Sequence, residues 1–319
     1  MMPIMRILFE ILNRRLKSFV ILFQSTKNLL IKGLPHLLIS VLIYSCSPTL
    51  YVLDKNPQLA GRVYKSTSLA KADKLLKNNP NDIEALTLNV ESLTTYAFGF
   101  LIEESDRMML KNYSKANNLE SQAHDYFVEA VLHGDSALSY IDHNFYKWLI
   151  SNNGSDIVYI SEIRQREEYF DLFYWTAAAY GGAISSSGGD PQWIIKLPRI
   201  GKLLNIIVSA DSAWNNGAAL IALISYTMNN PLLAPSEADS ISNNLFQKAI
   251  EASGGRDMGP YLSYAESVSK SRQRKDEFIF LLNEALKIDI KSSKEFQLTN
   301  TISKNRAQWL LDNIDEFFY

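Results

Sequence analysis

One cysteine in 319 residues leaves no partner for an internal disulfide, so the fold must hold by packing alone. Four histidines are too few and too scattered for an obvious metal set: His36 stands apart, and His124, His133 and His143 lie nine and ten positions apart. Two ligands on one helical face would need a spacing of four. No G-x-x-x-x-G-K-[ST] is present to cradle a phosphate, and no G-x-S-x-G to raise a nucleophile. Strand-like alternation of useful length is missing after Tyr51. Excess positive charge is also missing: the formal net charge is −2, and removing residues 1–45 leaves 26 basic and 33 acidic side chains. An acidic body speaks against nucleic acid, whose phosphates need clustered Lys and Arg.

What is there begins with LPHLLISVLIYS, residues 34–45. The run is too short for a permanent bilayer span of about 20 residues. It fits the apolar part of an export signal, behind a segment carrying six basic residues. Ile43-Tyr44-Ser45-Cys46 then reads as a lipobox: an aliphatic residue, a tolerant position, a small residue, and the cysteine whose thiol takes the lipid. Two or three acyl chains hold a protein at a membrane where one would be marginal. The other reading of Cys46 is a small buried hydrophobe at the start of a helix. The expected organisation is a signal over 1–45, a lipidated Cys46 with its linker over 46–60, and a helical domain over 61–319.

Helical spacing dominates that domain. Phe170, Phe173, Ala177, Tyr180 and Ile184 form one stripe. Asn- and Gly-rich clusters with proline punctuate the chain at 78–81, 152–154, 187–191, 229–231 and 253–255. The expected fold is all-α. A repeated grammar of an apolar residue, Ala at +3 and an aliphatic residue at +4 occurs at Phe127-Ala130-Val131, Phe246-Ala249-Ile250 and Leu282-Ala285-Leu286, with a degenerate copy at Leu203-Ile206-Ile207. The 43- and 36-residue offsets between the last three approach the tetratricopeptide period of 34, which favours an α-solenoid of helix-turn-helix units. Any amphipathic helix can show the same three positions.

Candidate chemistry is thin. Ser267 and Lys270 match S-x-x-K without a K-T-G partner, and adjacent acidic pairs such as Glu103-Glu104 read as solvated faces. A hydrolase built on Ser267 and Lys270 is the least supported of the functions considered, and no cofactor or metal is expected. The densest aromatic region, 169–217, supplies the candidate ligand-binding residues Trp175, Tyr180, Trp193 and Asn215, with Lys196 or Arg199 for a carboxylate. The same aromatics would equally fill a core, and Lys196, Arg199 and Lys202 would equally be solvated.

YWTAAAYGGAISSSGGDPQWIIKLPRIGKLL, YLSYAESVSKSRQRKDEFIFLLNEALKID and the closing LTNTISKNRAQWLLDNIDEFF resemble the TRAP-transporter T-component family (TatT). The similarity runs from about residue 60 to the C-terminus. The resemblance implies a non-enzymatic, lipid-anchored periplasmic protein of tetratricopeptide-like helix pairs. It further implies a homotrimer with a central pore, associated with the substrate-binding P component of a TRAP-type solute transporter, in the inner or outer membrane. The alternative is a general tetratricopeptide adaptor in cell-envelope assembly. Gene neighbourhood separates the two.

Overall fold

Asn56 starts the first helix of the computed structural model, which describes residues 56–151 and 161–319. Its side chain accepts a hydrogen bond from the Leu59 amide, and Pro57 occupies the first helical position, where no amide is needed. The export signal, the lipobox with Cys46, and the 152–154 cluster lie outside the described residues. The first helix opens at Pro57, inside the stretch read as linker.

Helices follow one another to the C-terminus, and no strand occurs among the described residues. Helix α1 (Pro57–Tyr64) passes through a π-helical stretch, Lys65–Leu69, into α2 (Ala70–Asn78). Helix α3 (Ile83–Tyr96) passes through a second such stretch, Ala97–Ile102, into α4 (Glu103–Met109). Then come α5 (Tyr113–Ile141), α6 (His143–Ile150), α7 (Phe170–Ser185), the single turn α8 (Pro191–Ile194), α9 (Leu197–Ala210), α10 (Ala218–Met228) and α11 (Pro235–Ala252). Helix α12 (Gly259–Tyr264) runs through a third π-helical stretch, Ala265–Ser269, and α13 (Lys275–Leu286) and α14 (Gln297–Asp312) close the chain. The fold is all-α. Among the described residues no helix is long and apolar enough to cross a membrane.

The polar clusters stop and start these helices as their chemistry requires. Asp82, Asn112, Asp142 and Asp190 each accept hydrogen bonds from amides of the following first turn. The 229–231 and 253–255 clusters fall between helices, while 78–81 begins on the last residue of α2 and 187–191 ends on the first of α8.

Consecutive helices pack on one another: α3 and α7 flank α5, α9 lies between α7 and α10, and α10 leads through α11 and α12 to α13 and α14. The three-position grammar lands on equivalent buried faces of α5, α9, α11 and α13, where Phe127, Ala130, Leu203, Ile207, Ala249, Leu282 and Ala285 are shielded from solvent. That placement is compatible with stacked helix pairs. Helix α7 departs from the expected single stripe. Leu172, Tyr174, Trp175, Thr176, Ala179 and Ala183 are buried along with Phe170, Phe173, Ala177 and Tyr180, because α3, α5 and α9 all pack against it.

The last helix returns to α4 through Arg306 and through Trp309, whose ring centre lies 5.4 Å from the Arg107 guanidinium. Arg306 on α14 is 3 % exposed and reaches Glu266 (2.8 Å), Asp106 (2.9 Å) and Glu103 (3.1 Å), the last lying 203 positions away. Its guanidinium also lies 4.8 Å from the centre of the Trp309 ring.

Candidate functional site

Three helices each turn one stripe of residues toward a shared space. From α7 come Ala177, Ala178, Gly181, Ile184 and Ser185; from α9, Leu197, Ile200 and Leu204; from α10, Ala222, Ser225 and Tyr226. The offsets of three, four and seven are those of a single helical face. Phe98, on the π-helical stretch after α3, closes the inner end. Gly189, Ile194 and Asn229 are exposed and stand at the mouth. The cavity between them has a volume of about 450 Å³, within the range of small-molecule sites.

It exists because its walls are small. Ala177, Ala178, Gly181 and Ala222 are too short to meet across the gap, and close packing would otherwise fill it. A Cβ added at Gly181 would have only Ile200 near it, 3.9 Å away. Ser185, Ser225, Tyr226 and Asn229 interrupt the apolar wall, and Tyr226 is the largest of them. The Tyr226 ring lies against the backbone of α9 at Gly201, which has no side chain to obstruct it. Burial alone pushes the Tyr226 hydroxyl up from its ordinary pKa, and no described residue hydrogen-bonds it. None of the lining residues carries a carboxylate, an imidazole, an amine or a guanidinium. Such a wall offers shape and a few neutral hydrogen-bonding groups, on Ser185, Ser225, Tyr226 and Asn229, rather than proton transfer near neutral pH.

Behind α7 a polar cluster holds the wall in position. The Tyr180 hydroxyl donates to Asp135 on α5 (2.7 Å) and accepts from the Arg199 guanidinium on α9 (2.7 Å). Tyr146 on α6 donates to the same carboxylate at 3.2 Å. Burial raises the Asp135 pKa, against the hydrogen bond from Tyr180 and the charge of Arg199. Burial and the adjacent Asp135 push Tyr146 up to about 12, and raise Tyr180 as well. Lys202 donates to the carbonyls of Trp148 and Ser151 (2.7 Å each), so the C-terminal end of α6 is capped by a cation.

The residues singled out from sequence surround this cavity without lining it. Trp175 is buried in α7 with its ring edge-on to Tyr174 at 5.5 Å. Tyr180 is fully buried in the polar cluster, which also engages Arg199. Trp193, on α8, is half-buried. It meets the His124 ring edge-on at 5.7 Å and carries the Lys196 ammonium 3.7 Å from its ring centre. Asn215 belongs to the turn before α10, where Asn215, Asn216 and Gly217 all take the left-handed backbone conformation (φ 47°, 54° and 82°). Trp175 and Asn215 are thus well apart in role from Trp193 and Lys196, which sit together on the α8–α9 segment. The lining residues Ala177, Ala178 and Gly181 carry no side-chain chemistry by which a sequence pattern could mark them as a site. The usable signal was the spacing Ala222, Ser225, Tyr226, Asn229, a mixed face on an otherwise apolar helix.

Among the described residues, no group of three His, Cys, Asp or Glu is placed to hold a metal ion. Ser267 is buried in the third π-helical stretch with its hydroxyl unpaired, and the Lys270 ammonium lies 5.3 Å from the centre of the Phe317 ring.

A family model described as TRAP transporter T-component matches residues 54–318. No curated protein matches the chain.

Proposed function

The chain belongs to the TRAP transporter T-component family, and on that premise we propose that it is the lipid-anchored periplasmic T component of a TRAP-type solute transport system. In this reading it binds the substrate-binding P component, holds a small apolar ligand in transit, and catalyses no reaction. The observation that carries the reading is the extent of the match, which takes in every described helix from α1 to α14. The cavity between α7, α9 and α10 supports the ligand-holding part, because its apolar wall surrounds a volume suited to a small molecule. Cys46 carries the lipid, and three copies assemble around a shared axis.

The test is to express the full chain together with a TRAP-type P component from the same genome. A complex surviving purification, trimeric mass by light scattering, and a diacylglyceryl group on Cys46 by mass spectrometry are the expected results. A monomer that ignores the P component, still joined to residues 1–45, would remove the reading.

A further inference from the structure

We infer that the cavity selects an uncharged, apolar molecule carrying one hydrogen-bonding group, and that Tyr226 is the residue that recognises this group. The inference rests on the ligand-holding reading above and narrows it to a chemical class.

Charge decides the first half. A carboxylate entering the cavity would leave water for a wall with no cationic side chain. An unpaired charge in such surroundings is costly. The basic residues of the α8–α9 segment are turned to other tasks. Arg199 donates to Tyr180, Lys202 to the end of α6, and the Lys196 ammonium rests on the Trp193 ring. Burial and the neighbouring Arg199 lower the pKa of Lys196.

Shape and polarity decide the second half. The inner end is formed by Phe98, Ala177 and Leu204, none of which offers a side-chain hydrogen bond. Ser185, at the mouth, already donates to the Gly182 carbonyl. Asn229, also at the mouth, donates to the Ser225 carbonyl, and Ser225 has a partner of its own. Tyr226 differs from all of these: it is half-buried in the wall, fixed by its contact with Gly201, and no described residue hydrogen-bonds its hydroxyl. A ligand hydroxyl or amide meeting it would satisfy a group that the protein leaves open.

The experiment titrates the purified full chain calorimetrically with 1-decanol and with decanoate at pH 8. The same titrations are run on Tyr226→Phe and Gly181→Leu. The expected result is 1-decanol binding at least about tenfold tighter than decanoate. Tyr226→Phe should weaken 1-decanol about fivefold, the loss of one neutral hydrogen bond, and leave decanoate unchanged. Gly181→Leu should abolish binding of both by filling the space. If that variant does not fold, Ala178→Leu replaces it. Decanoate binding as tightly as the alcohol, an unaltered Tyr226→Phe, or full binding by the filled variant would each overturn the inference. P-component capture is measured in parallel. A chain that takes up 1-decanol but ignores the P component defeats the transport reading alone, and the converse defeats this inference alone.

Discussion

Gly181 and Gly182 are chain neighbours with opposite surroundings. Gly182 faces α5, where an added Cβ would overlap the Phe127 ring, while Gly181 faces the cavity and open space. One therefore permits a close helix approach and the other leaves a void. Gly182→Ala should cost about 1–3 kcal/mol, since Phe127 is fully buried and has little room to yield. Gly181→Ala should be neutral or stabilise by up to about 1 kcal/mol, the helix preference of alanine over glycine. Urea unfolding midpoints of the two variants check this, and equal shifts would contradict the placement. At the same scale, Lys202 shows a base that reads as a solvated charge or a ligand contact but serves as a cap for α6.

The π-helical stretches matter at the scale of elements. Glu103 directly follows the second and Glu266 lies within the third, so two of the three stretches deliver a carboxylate to Arg306. Such local widenings re-aim side chains that a regular helix would place elsewhere. Three carboxylates share this guanidinium. Glu266 is the best paired and its pKa is lowered overall, by Arg306 against its burial. Asp106 is left underpaired: burial raises it most, Arg306 pulls the other way, and Glu266 and Glu103 add to the rise, to about 6. Arg107 answers Glu103 at 2.5 Å, and Lys270 adds a favourable charge toward Glu266. The folded chain thus holds a proton on Asp106 that the unfolded chain, with an ordinary value of 3.8, gives up. That contribution is present in full below about pH 4 and is lost as pH rises through about 6. Asp106→Asn removes the loss. The variant should match the natural chain at pH 4 and exceed it by about 1–3 kcal/mol at pH 8. Chemical denaturation at the two pH values reads the difference, and a gain of the same size at both would show that Asp106 does not titrate there.

At the scale of the molecule, Arg306 ties the last helix to the first helices across 203 positions of chain. Where helices pack mostly on their neighbours in sequence, the two ends of a chain are coupled only by such long-range contacts. Replacing Arg306 by Met leaves buried carboxylates without their cation and should cost about 3–5 kcal/mol. Hydrogen exchange gives the sharper readout: protection should fall in α4 and α14 together. Faster exchange in α14 alone would mean the two ends are not coupled through this residue.

Much of the fold was legible in the sequence because helix formation is local. Amphipathic spacing, the Asn-Pro and Gly-Gly breaks, and the Phe127-Ala130-Val131 grammar each depend on residues within a turn or two, and they place helices and buried faces without reference to partners. The family resemblance was legible for a related reason, being carried by contiguous segments. Tertiary structure alone decided how many neighbours each helix has. Helix α7 is buried on nearly all sides because three helices meet it, a number no stripe of its own residues encodes. Tertiary structure alone decided that Ala177, Ala178, Gly181 and Ala222 leave space while Gly134 and Gly182 take up a neighbouring side chain, since a small residue specifies only what it lacks. And it alone brought Glu103, Asp106 and Glu266 to Arg306, because a buried charge finds its partners by the return of the chain rather than by spacing along it.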